Sequence, residues 1–129
     1  MHLPAGVTQA RIALGKLGED LAVRELECRG YEILARRYRT RAGEIDVIAR
    51  DGPATVFVEV KAREDLEFGD GTEAVRRWKQ RRMTRVAIDF AARNGLIDTP
   101  CRFDVVSIHF APEGPVVEVY RNAFDAVDF

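Results

Sequence analysis

Read as a string of apolar and polar positions, the chain changes period several times, and each change marks an element. From Thr8 to Arg29 apolar residues recur at helical spacing, with Gly30 as the stop. On a helical wheel Ile12, Gly15, Ala22, Val23 and Leu26 share one arc, and Ala10, Leu14, Leu17, Leu21 and Cys28 share another. Such a helix is predicted to be covered on two sides. Tyr31 to Arg39 alternates poorly but ends in Thr40-Arg41-Ala42-Gly43, and reads as a first strand. Glu44 to Arg50 and Thr55 to Arg63 are β-rich runs around the turn signal Asp51-Gly52-Pro53-Ala54, which predicts a hairpin. After a loop from Asp65 to Gly71, Thr72 is the expected N-cap of a second helix that ends at Gly95, with Val75, Met83, Val86 and Phe90 as its apolar arc. Pro100 precedes a strand from Cys101 to Phe110, Glu113-Gly114-Pro115 turns it into another from Val116 to Asn122, and Phe124 and Phe129 are expected to pack the tail back. The order α-β-β-β-α-β-β predicts an α/β fold, a mixed β-sheet flanked by helices, in a single domain over residues 1–129.

Polar positions break this pattern in the hairpin. Pro53 suits the positive φ of a tight two-residue turn poorly, so a four-residue loop with Arg50 facing Thr55 is expected. Either even loop gives one register, with Asp46 opposite Glu59 and Glu44 opposite Lys61, their Cβ atoms roughly 5 Å apart. Glu44, Asp46 and Ile48 share one face of their strand, and Phe57, Glu59, Lys61 and Arg63 share one face of theirs, leaving Val56, Val58, Val60 and Ala62 on the other. A half-exposed hairpin with cross-strand ion pairs such as Glu44 with Lys61 is the ordinary account of these charges. Asp46 beside Glu59 is harder to place that way, because two adjacent carboxylates repel unless a cation or a shared proton intervenes.

Composition narrows the classes. At 129 residues the chain is long enough to bury roughly two-thirds of its unfolded surface. A net charge of -1 argues against a non-specific polyanion binder, yet the charges are unevenly placed. Seven basic residues lie between Thr72 and Asn94 against Glu73 and Asp89, Arg36, Arg37, Arg39 and Arg41 form a second cluster, and the tail after Cys101 is acidic. Cys28 and Cys101 are too few for a disulfide framework and lack metal-ligand spacing, so buried free thiols in a reducing compartment are expected. Met1 to Val7 has no apolar core of signal-peptide length, and no apolar run reaches the roughly 18 residues that span a bilayer. The reading is a cytoplasmic protein with no membrane partner.

Several off-pattern residues carry candidate chemistry. Glu19 falls inside the first apolar arc, where a desolvated carboxylate needs a partner; a capped or salt-bridged Glu at a helix edge is the ordinary account. Lys79 projects into the second helix's arc and Arg82 lies near its edge, with Arg77, Arg81 and Arg85 on the far side. Either Lys79 snorkels, or Lys79 and Arg82 aim at a phosphate near the sheet's carboxylates. Trp78 sits off the stripe and reads as packing rather than as a base-stacking platform, and Asp104, embedded in an apolar run, calls for an Arg partner. Joined, these residues make a metal site with a nearby base. Hard oxygens from Asp46 and Glu59 suit Mg²⁺ or Mn²⁺, and Glu19 could add a ligand or orient a water. Lys61 could orient or deprotonate the attacking water and stabilise charge on a phosphate. A metal acting as Lewis acid is the recurrent solution for phosphodiester hydrolysis.

Asp46 followed by Glu59-x-Lys61 on a hairpin, after the helical Glu19, resembles the PD-(D/E)xK nuclease superfamily with its restriction-endonuclease-like core, including the junction-resolvase branch. More closely, the chain resembles the YraN-type family of small uncharacterised proteins across nearly its whole length. The matching segments are Gly15 to Ala22, Gly43 to Ala49, Val56 to Arg63, Lys79 with Arg82, and Arg102 to Val106. The resemblance implies Asp46 and Glu59 as metal ligands, Lys61 as the catalytic lysine and Glu19 as the helix-borne acidic residue. It departs at Arg37, where the family often has Asn.

Three functions compete on these residues. The first is a Mg²⁺-dependent deoxyribonuclease acting on branched or distorted DNA, with Lys79, Arg82, Arg37, Arg39 and Arg63 holding phosphates; a homodimer would fit the paired strands of a four-way junction. The second is a non-catalytic nucleic-acid-binding module on the same fold, and the third a protein-interaction domain whose carboxylates merely pair with arginines. No base-reading motif stands out, so recognition of shape and backbone is expected.

Overall fold

A computed structural model describes residues 5–64 and 75–127, the side chains of residues 5–11 excepted. The elements follow the expected order: α1 (Ala5–Cys28), β1 (Glu32–Thr40), β2 (Gly43–Asp51), β3 (Ala54–Arg63), α2 (Arg77–Arg93), β4 (Cys101–Ala111) and β5 (Gly114–Phe124). The strands form one sheet in chain order, and every neighbouring pair is antiparallel except β3 with β4. A parallel pair needs a crossover, and α2 lies in that connection. Among the described residues no helix is long and apolar enough to cross a membrane.

Period-two alternation sorts the core into two layers, one under each helix. Met83, Val86, Ala87 and Phe90 of α2 pack on Ile48, Phe57, Phe103 and Val105. Ala22 and Leu26 of α1 pack on Val47, Ala49, Val56, Val58, Val106 and Ile108. The apolar arc of α2 is buried as read from the sequence, but α1 is not covered on two sides: Ala22 and Leu26 are buried, while Ile12 and Cys28, and Leu17 at 48%, are exposed. Phe124 stacks on Phe103 with ring centroids 4.8 Å apart, which seats the end of β5. Asp104 is fully buried and finds the expected arginine, accepting from Arg102 Nε at 2.9 Å, with the Asn122 N–H and the Tyr31 hydroxyl as further donors.

α1 lies unusually close to β3. A Cβ built on Gly18 would come 2.7 Å from the Ala62 Cβ, so only glycine fits without a shift. Gly18→Val is expected to cost about 1–3 kcal/mol by overpacking, read from denaturant unfolding, and Ala62→Gly should recover part of that loss. An unchanged midpoint for the single variant would contradict this approach of helix to sheet.

Three further expectations are corrected. The hairpin turn is tighter than predicted, because Asp51 pairs with Ala54 and only Gly52 and Pro53 remain in the loop. Positive φ is needed at the first central position alone in one class of two-residue turn; Gly52 supplies it at +59°, and Pro53 takes the second position. α2 begins at Arg77 with an extended Arg76 as N-cap and no side-chain cap, since the preceding Val75 is drawn into the core. Thr72, the Asp65–Gly71 loop and Phe129 lie outside the described residues. Cys28 and Cys101 are free, as expected, but exposed rather than buried: each sits at the end of an element, beyond the reach of the core layers.

Candidate functional site

The β2–β3 ladder runs in the predicted register from Asp51 and Ala54 to Val47 and Val58, and there it stops. At the next residue Asp46 Oδ2 accepts the Val60 N–H at 2.8 Å, so a side chain replaces the ladder where the two strands part. Alternation breaks at the same point. Ile45 joins the core under α2 and Val47 the core under α1, although residues two apart on a regular strand share a face. On β1, Arg37 lies between the pairs Arg36 with Val47 and Tyr38 with Ile45, and it has a positive φ of 53°. That conformation is uncommon for a residue other than glycine and is best tolerated by Asn, the residue the YraN-type resemblance leads one to expect there. Kinks at one level on two strands leave Asp46 lining clefts on both faces of the sheet.

The cleft on the α2 side, ≈ 360 Å³, is lined by Asp46, Glu59, Glu44, Trp78, Lys79 and Arg82 among others. Glu59 is buried and hydrogen-bonded to Asp46, and Lys79 reaches it from α2 as an ion pair. Burial, and next the negative charge of Glu59, push the Asp46 carboxyl up to about 7, against the opposing pull of the Val60 N–H and the Lys79 ammonium. The pair is therefore one that wants either a proton or more positive charge near neutral pH. Two hard oxygen donors in a cleft with room for water ligands fit Mg²⁺ or Mn²⁺, which would take the place of the shared proton. Among the described residues no third His, Cys, Asp or Glu is grouped with them as a metal ligand.

Glu19 is engaged elsewhere. It is buried on the α1 side, where a second cleft of ≈ 380 Å³ is lined by Glu19, Arg37, Asp46 and Lys16 among others. Arg36 Nε donates to Oε1 and Arg37 Nε to Oε2, both at 2.9 Å. Consecutive strand residues normally point to opposite faces, and the positive φ at Arg37 is what lets both reach one carboxylate. The ordinary account of Glu19 as a salt-bridged helix residue thus describes its partners, while its place beside Asp46 keeps it at the site.

The remaining predicted residues divide. Arg82 donates from Nε to the Ala42 carbonyl oxygen at 3.1 Å and lines the carboxylate cleft. Lys61 follows Glu59 by two positions on the same face of β3, half-buried, beside Ser107 of β4, and Arg63 lies beside His109; neither lines the two clefts. Arg39 pairs with Glu44 at 2.8 Å and borders a separate basic cleft of ≈ 620 Å³ with Arg41, Arg85 and Arg93. The ladder ends before Glu44 would face Lys61. Trp78 overturns its reading as a packing residue, being 54% exposed. Sequence reasoning missed the Val60 N–H and the joint role of Arg36 and Arg37; poor alternation over Tyr31–Arg39 was the one trace of the latter.

Comparison with known proteins agrees with the sequence resemblance. The profile of an uncharacterised protein family, UPF0102, matches residues 18–108. Among similar proteins, a UPF0102 protein of Geobacter metallireducens is 45% identical over 113 residues, 88% of this chain and 93% of its own. One of Symbiobacterium thermophilum is 46% identical over 114 residues, 88% of this chain and 97% of its own. One of Acidothermus cellulolyticus is 40% identical over 131 residues, 93% of this chain and 99% of its own.

Proposed function

We propose that this chain, which belongs to the uncharacterised protein family UPF0102, is a divalent-metal-dependent nuclease that hydrolyses phosphodiester bonds in DNA. The observation that carries the reading is the Asp46–Glu59 pair, held at the parting of β2 and β3, with the Asp46 carboxyl raised to about 7. Lys79 brings one positive charge to the two carboxylates, and the Asp46 carboxyl stays raised beside it, a conflict that a divalent cation would relieve. Asp46 and Glu59 would hold Mg²⁺ or Mn²⁺, which when bound supplies Lewis acidity toward a phosphate oxygen and a lowered pKa for water. Lys61, on the Glu59 face of β3, orients the attacking water and offsets charge on the phosphate. Lys79, already in the cleft, neutralises an entering phosphate. Glu19 fixes Arg37 at the mouth of the cleft on the α1 side. Arg37, Arg39, Arg63 and Arg82 follow the backbone, and branched DNA cut by a two-fold dimer suits a surface that reads shape.

A second reading, a non-catalytic nucleic-acid-binding or protein-interaction module, is favoured by the ion pairs that satisfy Glu59 and Glu19 from within the chain. Calorimetric titration of Mn²⁺ into the wild type and into the Asp46→Ala, Glu59→Ala double variant separates the two, followed by cleavage assays on single-stranded, duplex and four-way-junction DNA. Metal binding is expected in the wild type and lost in the double variant, with metal-dependent cleavage by the wild type alone. No binding at millimolar Mn²⁺ would overturn the nuclease. Salt-sensitive DNA binding without metal would then favour the module.

A further inference from the structure

Trp78 is the part of the α2-side cleft that the carboxylate pair does not use. It is the chain's single tryptophan, it stands in the first turn of α2, and 54% of its surface is exposed. Leaving so large a ring in water forgoes the burial that Met83, Val86 and Phe90 of the same helix obtain. The ring is nonetheless held. Arg82, one turn further along α2, places its guanidinium 5.5 Å from the ring centroid while its Nε donates to the Ala42 carbonyl oxygen. One side of the indole is thus backed by a cation anchored to the β1–β2 turn, and the ring borders the cleft that contains Asp46, Glu59 and Lys79. Arg76, Arg77 and Arg81 are exposed around it, and the first turn of α2 carries no acidic residue.

An aromatic face inside a basic rim has the make-up of a base-stacking platform, in which cations follow the backbone and the ring accepts a base of any identity. An apolar protein partner would instead need an apolar surround, and here the cleft beside the ring is lined mainly by charged residues, Lys79 and Arg82 with Glu44, Asp46 and Glu59, against Val60 and Met83 alone as apolar neighbours. We infer that Trp78 stacks an unpaired nucleobase of single-stranded DNA beside the scissile phosphate. The preferred substrate is then a strand with unpaired nucleotides, at an end, a gap or a branch, rather than a continuous duplex, whose bases are already stacked on both faces. The position of the scissile bond rests on the nuclease reading; the stacking itself does not.

The test uses the full chain in EDTA, with a short labelled oligothymidylate as probe. Trp78→Ala is expected to weaken its binding about tenfold or more by fluorescence anisotropy. The slope of affinity against salt should stay unchanged, since no phosphate contact is lost, and Trp78→Phe should restore most of the affinity. In the wild type the strand is expected to quench the emission of this one tryptophan, and an abasic strand of equal length is not. Equal quenching by the abasic strand, or unchanged affinity in Trp78→Ala, would overturn the platform, and tighter binding of an unbroken duplex would overturn the substrate class. Because no metal is present, the result is separable from the nuclease reading: quenching by the strand in a wild type that neither binds millimolar Mn²⁺ nor cuts removes the nuclease and leaves the platform standing.

Discussion

Arg102→Ala is expected to lower the stability of the chain by about 3–5 kcal/mol, the range seen when one partner of a buried ion pair is removed. For a chain of this size that is a fall in Tm of roughly 10–20 °C. The cause is Asp104, which is fully buried on β4 and meets the guanidinium of Arg102 as a fork, Nε to Oδ1 at 2.9 Å and a terminal nitrogen to Oδ2 at 3.1 Å. Arg102 also donates to the Tyr31 hydroxyl at 2.7 Å and to Asp51 at 3.0 Å, tying β4 to the start of β1 and the end of β2. Without it, Asp104 keeps the Tyr31 hydroxyl and the Asn122 N–H, both neutral, and its charge is stranded out of water. An Arg102→Met, Asp104→Leu pair should recover most of the loss, because two apolar side chains of similar bulk leave no orphaned charge. Thermal unfolding of the single and double variants decides it. A double variant no more stable than Arg102→Ala would show that the network's hydrogen bonds to Tyr31 and Asn122, rather than the stranded charge, account for the cost.

The same cluster shows how far the sequence could be read. An aspartate inside an apolar run calls for an arginine, and the arginine is there, because desolvation of a charge is too costly to leave unmatched. The α2 arc and the β2–β3 register were legible for the same kind of reason: Met83, Val86 and Phe90 recur at helical spacing, and an even loop fixes which residues face each other whatever its length. What stayed hidden depends on a single backbone angle. The positive φ of Arg37 turns two consecutive arginines toward Glu19 and stands opposite the break at Asp46, yet nothing local to an Ala-Arg-Arg-Tyr stretch demands it. Its only trace was the poor alternation of β1. Trp78 was misread because a helical wheel shows that a residue lies off the apolar stripe but not where the neighbouring sheet ends. Exposure of Cys28 and Cys101 has the same origin, at the ends of α1 and the start of β4.

At Asp46 the structure makes its strongest claim on measurement. Its carboxyl titrates near 7 in the folded chain, against 3.8 for a free side chain. The folded state therefore holds a proton that the unfolded state has lost across the interval between those values, so stability falls as pH rises through it. The loss begins near pH 4 and is complete somewhat above pH 7. Three units correspond to at most about 4 kcal/mol. Asp46→Asn removes the titration while keeping the geometry, since its amide oxygen still accepts the Val60 N–H and its amide nitrogen can donate to Glu59. The variant is expected to match the wild type near pH 4 and to exceed it by about 2–4 kcal/mol at pH 8, read from denaturant midpoints across that range. Millimolar Mn²⁺ at pH 8 should narrow the gap by stabilising the wild type alone, by about 2.7 kcal/mol if the ion is present at a hundred times its dissociation constant. A gap that is the same at pH 4 and pH 8 would mean that Asp46 carries its charge without penalty in the fold. A gap that opens with pH but does not respond to Mn²⁺ would mean that the carboxylates are strained toward something other than a divalent cation. The predicted combination, a residue that weakens the empty fold at the pH where it is charged and is compensated by the ion, is what separates a site held ready for chemistry from an ion-pair network that merely closes on itself.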